Sequence, residues 1–187
     1  MHLSGEVNLH LCPACCASTI RPLWEDVNGW NIVKCTSCGL AFVNPQPAPG
    51  ALEDYYSNSY SVAKRVLSNQ AQTGLTDEDH AAADKFITLI RQFNPNAWEV
   101  CEVGCSCGYL LAALRQHGFK VKGYELSSPA SAFAREVFGL DVVQGRFRAL
   151  PGSFDVVIMN HVLEHVTDPG QVVCDIALSL RGGICSL

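Results

Sequence analysis

From Ala97 onward, short apolar runs alternate with segments of helical periodicity, and this alternation constrains the fold more than any other feature of the chain. Ala97 to Val103 reads as a buried strand. Tyr109 to His117 reads as a helix ending at Gly118. Lys120 to Glu125 is a second strand, and Pro129 to Phe138 a second helix ending at Gly139. Asp141 to Gln144 gives a short third strand, and Phe154 to Asn160 a strongly apolar fourth. His161 to Arg181 starts and ends helically, with Asp168-Pro169-Gly170 interrupting it, and Gly182-Gly183 turns the chain into a fifth strand at Ile184 to Leu187. Such alternation predicts βαβ units, hence an α/β fold: an incomplete parallel sheet of about five strands with helices on both faces.

The N-terminal part obeys a different logic. Cys12-Pro13-Ala14-Cys15 and Cys35-Thr36-Ser37-Cys38-Gly39 are two Cys-x-x-Cys pairs separated by nineteen residues. Each pair presents two thiolates on a tight turn, and two pairs complete a tetrahedron around Zn²⁺. Cys12, Cys15, Cys35 and Cys38 are therefore the expected ligands of a structural zinc ion. Cys16 is a fifth thiol beside the first pair and an alternative to Cys15. Two β-like runs, Leu23 to Glu25 and Asn31 to Lys34, lie between the knuckles. Asn44-Pro45-Gln46-Pro47-Ala48-Pro49-Gly50 breaks regular structure and reads as a linker. Residues 51 to about 93 look helical, with an apolar stripe from Ala81 to Phe93 behind Asp77, Glu78 and Asp79. Tyr55, Tyr56 and Tyr60 are expected to pack. Three parts follow: a zinc-ribbon-like module at 1–44, a linker and helical connector at 45–95, and an α/β domain at 96–187.

Composition narrows the function classes. With 48% hydrophobic residues among 187, a real core is affordable to the chain; with a net charge of -5, a nucleic-acid surface is not its main business. No run approaches about 20 apolar residues, and Met1 to His10 lacks a basic segment followed by an apolar one, so neither a membrane span nor a signal peptide is expected. Ten cysteines placed as one knuckle set plus scattered apolar positions fit a reducing cytoplasm rather than a disulfide scaffold.

The loop after the first strand carries the chemistry. Val100-Cys101-Glu102-Val103-Gly104-Cys105-Ser106-Cys107-Gly108 is an apolar strand, an acid and a small-residue loop that opens a helix. A dinucleotide loop has a different glycine spacing, and an acid just before it is badly placed for a polyphosphate. The pattern E-x-G-x-S-x-G resembles the first motif of class I S-adenosylmethionine-dependent methyltransferases, acid-x-G-x-G-x-G, with Ser106 in place of the middle glycine. Glu125 in Gly123-Tyr124-Glu125-Leu126 is similar to the second motif, whose acid binds both ribose hydroxyls; a carboxylate accepts two hydrogen bonds at once. Gly152 to Val166, ending Leu163-Glu164-His165-Val166, resembles the fourth-strand segment, and Leu180-Arg181-Gly182-Gly183 the glycine pair before strand five. The knuckles, the Asn-Pro-Gln-Pro linker and the tyrosines are similar to the N-terminal region of bacterial members.

The resemblance implies a Rossmann-like domain that binds S-adenosylmethionine and transfers its methyl group to a small-molecule, sugar or lipid-type acceptor. It implies a cofactor site built from Glu102, Gly104, Cys105, Ser106, Gly108, Glu125, Leu126, Arg146, Phe147, Asn160 and His161. At Arg146 the family often has an acid for the adenine amino group, so backbone and Phe147 are expected to serve instead. His161 and His165 are candidates for lining the methyl-transfer side, and no general base is identified. The family's sheet has seven strands, and this chain stops in the fifth, so a poor catalyst or an inactive cofactor-binding fragment is the alternative reading. Two others remain: an NAD-dependent oxidoreductase, and a zinc peptidase from the H-x-x-E-H spelled by His161 to His165.

Overall fold

The computed structural model describes residues 5–68 and 71–182. Strands β1 (Glu6–Val7), β2 (Ile20–Val27), β3 (Trp30–Cys35), β4 (Ala41–Val43) and β5 (Gln46–Pro47) build the N-terminal part. β2, β3 and β4 form an antiparallel meander, while β5 pairs back onto β1. Asn28 and Gly29 join β2 to β3, both at positive φ, as the two-residue hairpin turn demands.

The segment expected to break regular structure is in fact ordered by backbone pairing. Gln46 and Pro47 register with Val7 and Glu6. The Asn44 side chain accepts from the Leu9 amide at 2.8 Å and donates to its carbonyl at 3.1 Å, as a strand neighbour does. Helix α1 (Pro49–Asp54) then starts on a proline, whose missing N–H is no loss at a helix start. A π-helical turn, Tyr55–Ser59, and α2 (Ser61–Leu67) follow. Helix α3 (Asp77–Phe93) begins ahead of its apolar stripe because Thr76 and Asp79 cap one another: the Asp79 amide donates to Thr76 Oγ1 and the Thr76 amide to Asp79 Oδ2.

The α/β domain comprises β6 (Glu99–Val103), α4 (Tyr109–Gln116), β7 (Lys120–Glu125), α5 (Ser128–Phe138), β8 (Val142–Gln144), β9 (Val156–Met159) and α6 (Pro169–Ser179). The sheet is parallel, in the order β8-β7-β6-β9. Alternate residues of β6 enter different cores. Val100 packs with Ile90, Leu114, Phe119 and Ile158; Cys101 and Val103 pack with Tyr124, Phe147, Phe154 and Ile176. Burial on both faces is why these strands read as continuous apolar runs.

Two expectations change. Asp168-Pro169-Gly170 does not interrupt a helix; it starts one. Asp168 accepts from the Gln171 amide at 2.9 Å, and Pro169 takes the first helical position. Upstream, only Leu163–His165 is helical, as a single 3₁₀ turn, and His161 has a left-handed φ of 55°. The expected fifth strand at Ile184 to Leu187 lies outside the described residues; within them, Phe154 and Leu180 form an isolated parallel bridge. Below it, Asp155 Oδ2 accepts from the Trp98 and Glu99 amides, both at 2.9 Å. Arg181 ties the same corner, donating to Asp155, the Glu99 carboxylate and the carbonyls of Gly152 and Ser153.

Candidate functional site

Strand order reverses between β6 and β9, and ligands of open α/β sheets bind at such a point, outside the carboxyl ends of the strands. There the loop after β6 meets the end of β7. Gly104 and Cys105 donate to the Tyr124 carbonyl at 2.7 and 3.1 Å. The Ser106 amide donates to Glu125 Oε2 at 2.8 Å and the Ser127 amide to Oε1 at 2.7 Å. Each carboxylate oxygen of Glu125 thus has a backbone partner and keeps acceptor capacity. Ser106 takes a φ of 52°, uncommon for a residue with a side chain.

The loop glycines divide by purpose. A Cβ on Gly104 would stand 2.4 Å from Val162 Cγ2, so this glycine lets the segment after β9 close over the loop. A Cβ on Gly108 would strike Leu140 at 2.5 Å, seating α4 against α5. Cys105 points inward beneath Gly123, whose absent Cβ would lie 2.5 Å from the sulfur. Cys105 and Gly108 are buried and face the core, so their exposed chemistry at this site is limited to backbone.

Glu102 is sealed under the loop. It is buried, and its Oε2 has no hydrogen-bond partner among the described residues. Burial first, then the neighbouring Glu125 charge, pushes its carboxyl up to about 8. Burial also raises Glu125, against the amides of Ser127, Ser106 and Leu126, which pull the other way. An unpartnered buried carboxyl beside a positive-φ loop fits a cationic ligand group better than an anionic one.

The loop opens into a cavity of about 680 Å³. Of the residues expected from the sequence, Gly104, Ser106, Glu125, Leu126, Arg146, Phe147, His161 and His165 line it. Glu102, Cys105, Gly108 and Asn160 do not. Phe147 is buried and packs edge-on against Tyr124, centroids 5.0 Å apart. Sequence reasoning missed the opposite wall. Tyr55, Tyr56 and Tyr60 cluster with centroids 5.2–6.2 Å apart and line the cavity, and Trp30 of β3 joins them. The π-helical turn, a conformation frequent at functional sites, was the local device no periodicity could reveal. Tyr56 lies against His165 at 6.4 Å; burial, with Tyr60 and Tyr55, pushes its phenol up to about 12, so it stays protonated.

The four knuckle sulfurs converge. Sγ of Cys12, Cys15, Cys35 and Cys38 all lie within 4.8 Å of one another, with Cys12–Cys38 and Cys15–Cys35 at 3.6 Å. A tetrahedron with Zn–S bonds of about 2.3 Å has edges of about 3.8 Å, so the cluster fits the ion. The two knuckles share one design: the Cys16 amide donates to the Cys12 carbonyl and the Gly39 amide to the Cys35 carbonyl, both at 2.9 Å, with Cys16 and Gly39 at positive φ. Cys16 therefore closes the turn and lies outside the cluster. Amides of Cys38 and Ser37 pull the Cys35 thiol down to about 6, favouring the thiolate a metal needs. Among the described residues there is no other group of three or more His, Cys, Asp or Glu arranged to hold a metal, and no disulfide. The peptidase reading fails, because His161 and His165 do not share a helix.

Comparison with known proteins agrees with this geometry. A family model described as "Methyltransferase domain" matches residues 75–186. The ubiquinone biosynthesis O-methyltransferase of Bordetella avium (strain 197N) is 35% identical over 94 residues, covering 45% of this chain and 39% of that protein. Its counterpart in Ralstonia nicotianae is 37% identical over 93 residues, with 45% and 39% covered. The chain thus spans 39% of the length of these curated relatives. Among solved structures, the amino pentose methyltransferase CalS10 from Micromonospora echinaspora superposes with a TM-score of 0.53 at 22% identity, over 66% of this chain and 54% of that one. Magnesium protoporphyrin IX methyltransferase from Synechocystis PCC 6803 gives 0.53 at 21%, over 71% and 68%. At those identities the two structures speak for the fold alone. With sheet order and loop in agreement with a model match over most of the chain, the protein belongs to the methyltransferase-domain family of class I S-adenosylmethionine-dependent enzymes.

Proposed function

We propose that the chain carries the cofactor-binding half of a methyltransferase that moves a methyl group from S-adenosylmethionine to an oxygen, nitrogen or carbon of a small-molecule, sugar or lipid-type acceptor. The observation that supports this most is the pairing of Glu125 with the Gly104–Ser106 loop at the mouth of the cavity. CalS10 was solved with S-adenosylmethionine and the porphyrin enzyme with S-adenosylhomocysteine, which supports the same ligand here. When bound, the cofactor supplies an electrophilic methyl on a sulfonium.

The chain's own residues do the rest. Glu125 accepts from the two ribose hydroxyls with its remaining lone pairs. Glu102, beneath the loop and outside the cavity, supplies its charge, once ionised, to the ammonium group from behind the loop backbone. Gly104 and Ser106 offer backbone, with Cys105 and Gly108 shaping the loop behind them, while Leu126, Arg146 and Phe147 flank the base and His161, next to Asn160, closes the far side. His161 and His165, both in the cavity wall, are the candidates for lining the methyl-transfer side. The protein's contribution is proximity and orientation, which can supply about 7–11 kcal/mol of a barrier. In this reading one zinc ion is structural, the parts divide at 44 and 95, and the protein works in the cytoplasm. Among the described residues no helix is long and apolar enough to cross a membrane.

Calorimetry tests the proposal. Glu125→Ala weakens S-adenosylhomocysteine binding by about 1.5–3 kcal/mol, the range for hydrogen bonds to a charged group. Unchanged affinity in the variant, or tighter binding of NAD by the parent, refutes it.

A further inference from the structure

Gly170 poses a small puzzle. It occupies the first turn of α6, where its backbone is helical and needs no left-handed φ. Glycine there costs helix stability relative to alanine. Space explains it. A Cβ on Gly170 would stand 3.0 Å from the Pro13 carbonyl oxygen and 3.6 Å from that of Ala14. Those carbonyls belong to the first zinc knuckle, so Gly170 is the seat on which the knuckle rests. The seat also sets carbonyl dipoles against the positive end of a helix.

The consequence runs in both directions from the seat. Helix α6 sends Gln171, Val172 and Asp175 into the large cavity. The knuckle module sends Trp30, the first residue of β3, into the same cavity, and β3 ends five residues on at the ligand Cys35. Trp30 therefore takes its place in the cavity from a strand whose other end carries Cys35, in a module whose first knuckle Gly170 admits.

We propose that the zinc module is a wall of the acceptor chamber, and that Trp30, held there by the knuckle seated on Gly170, is a specificity-determining residue for an acceptor with a six-membered ring. The indole stacks on an aromatic ring or on the C–H face of a pyranose, and Tyr55 and Tyr60 supply companion surface. This rests on the methyl-transfer reading, and the test separates the two.

The test uses the full zinc-loaded chain with Trp24→Phe and Trp98→Phe, so that Trp30 is the only indole. With S-adenosylhomocysteine saturating, catechol and methyl glucopyranoside are titrated while Trp30 emission is followed. One of the two is expected to give a saturable change, and which one it is distinguishes an aromatic from a sugar acceptor. Gly170→Leu is expected to weaken that binding by about tenfold, with one zinc equivalent retained and S-adenosylhomocysteine affinity unchanged within twofold. Gly170→Ala, which asks the carbonyl to give only a few tenths of an ångström, falls between and guards against a folding defect in the larger variant. Equal probe affinity in all three proteins, or no saturable change with either ring, overturns the proposal. Failure of the parent to bind S-adenosylhomocysteine overturns the methyl-transfer reading first, and this inference with it.

Discussion

A carboxylic acid sealed beneath a loop keeps its proton into the neutral range, and Glu102 does so at about 8. Its folded value lies above its unfolded one, so the stability it contributes is whole below about pH 4.3 and is lost as pH rises through 8. Glu102→Gln keeps the neutral shape at every pH. The variant is therefore expected to gain on the parent between pH 5 and 8.5, by at most about 1.4 kcal/mol per pH unit. Urea melts across that range measure it; a stability difference independent of pH contradicts it. At this scale the sequence marked Glu102, Glu125 and the four clustered cysteines, because acids and thiols at loop edges are chemically conspicuous. Trp30 and the tyrosines were not marked. Their role depends on a wall assembled from residues far apart in the chain, and no local pattern encodes that.

Elements were legible where both ends were punctuated. β7 runs from Lys120 to Glu125 as expected, between Gly118 and the Ser127 cap of α5. α6 was misplaced because Asp-Pro-Gly serves equally as a turn and as a cap with a first-turn proline. β5 was invisible, since two residues carry no periodicity. Within β7, Gly123 is fixed by space: a Cβ would lie 2.5 Å from Cys105 Sγ, 2.8 Å from Leu111 Cδ1 and 3.1 Å from Val142 Cγ2. Gly123→Ala is expected to destabilise the domain by about 1–3 kcal/mol, the usual cost of overpacking. Chemical denaturation checks this, and a loss under 0.5 kcal/mol (roughly the scatter of surface substitutions) contradicts it. Leu111, wholly buried between α4 and the sheet, tests the opposite error: Leu111→Ala should cost about 2–5 kcal/mol by the cavity it leaves.

The whole molecule is a small cysteine-clustered sheet set against a larger parallel one. On the proposed four-thiolate site, Cys35→Ser with Cys38→Ser is expected to abolish zinc binding, as read by metal analysis of the purified protein. Retention of a full equivalent refutes the ligand set. The larger sheet, in turn, is not equally stiff along its strands. At one end Arg181, Asp155 and Glu99 lace β6 to the chain entering β9 and leaving α6. At the other end the strands run out into loops around the cavity. A plate clamped along one edge flexes at the other. Hydrogen exchange should therefore be slow at the Trp98 and Glu99 amides and fast around residues 161–167. On that pattern the clamp is expected to act as a fulcrum, with the cavity mouth at the free end of the lever.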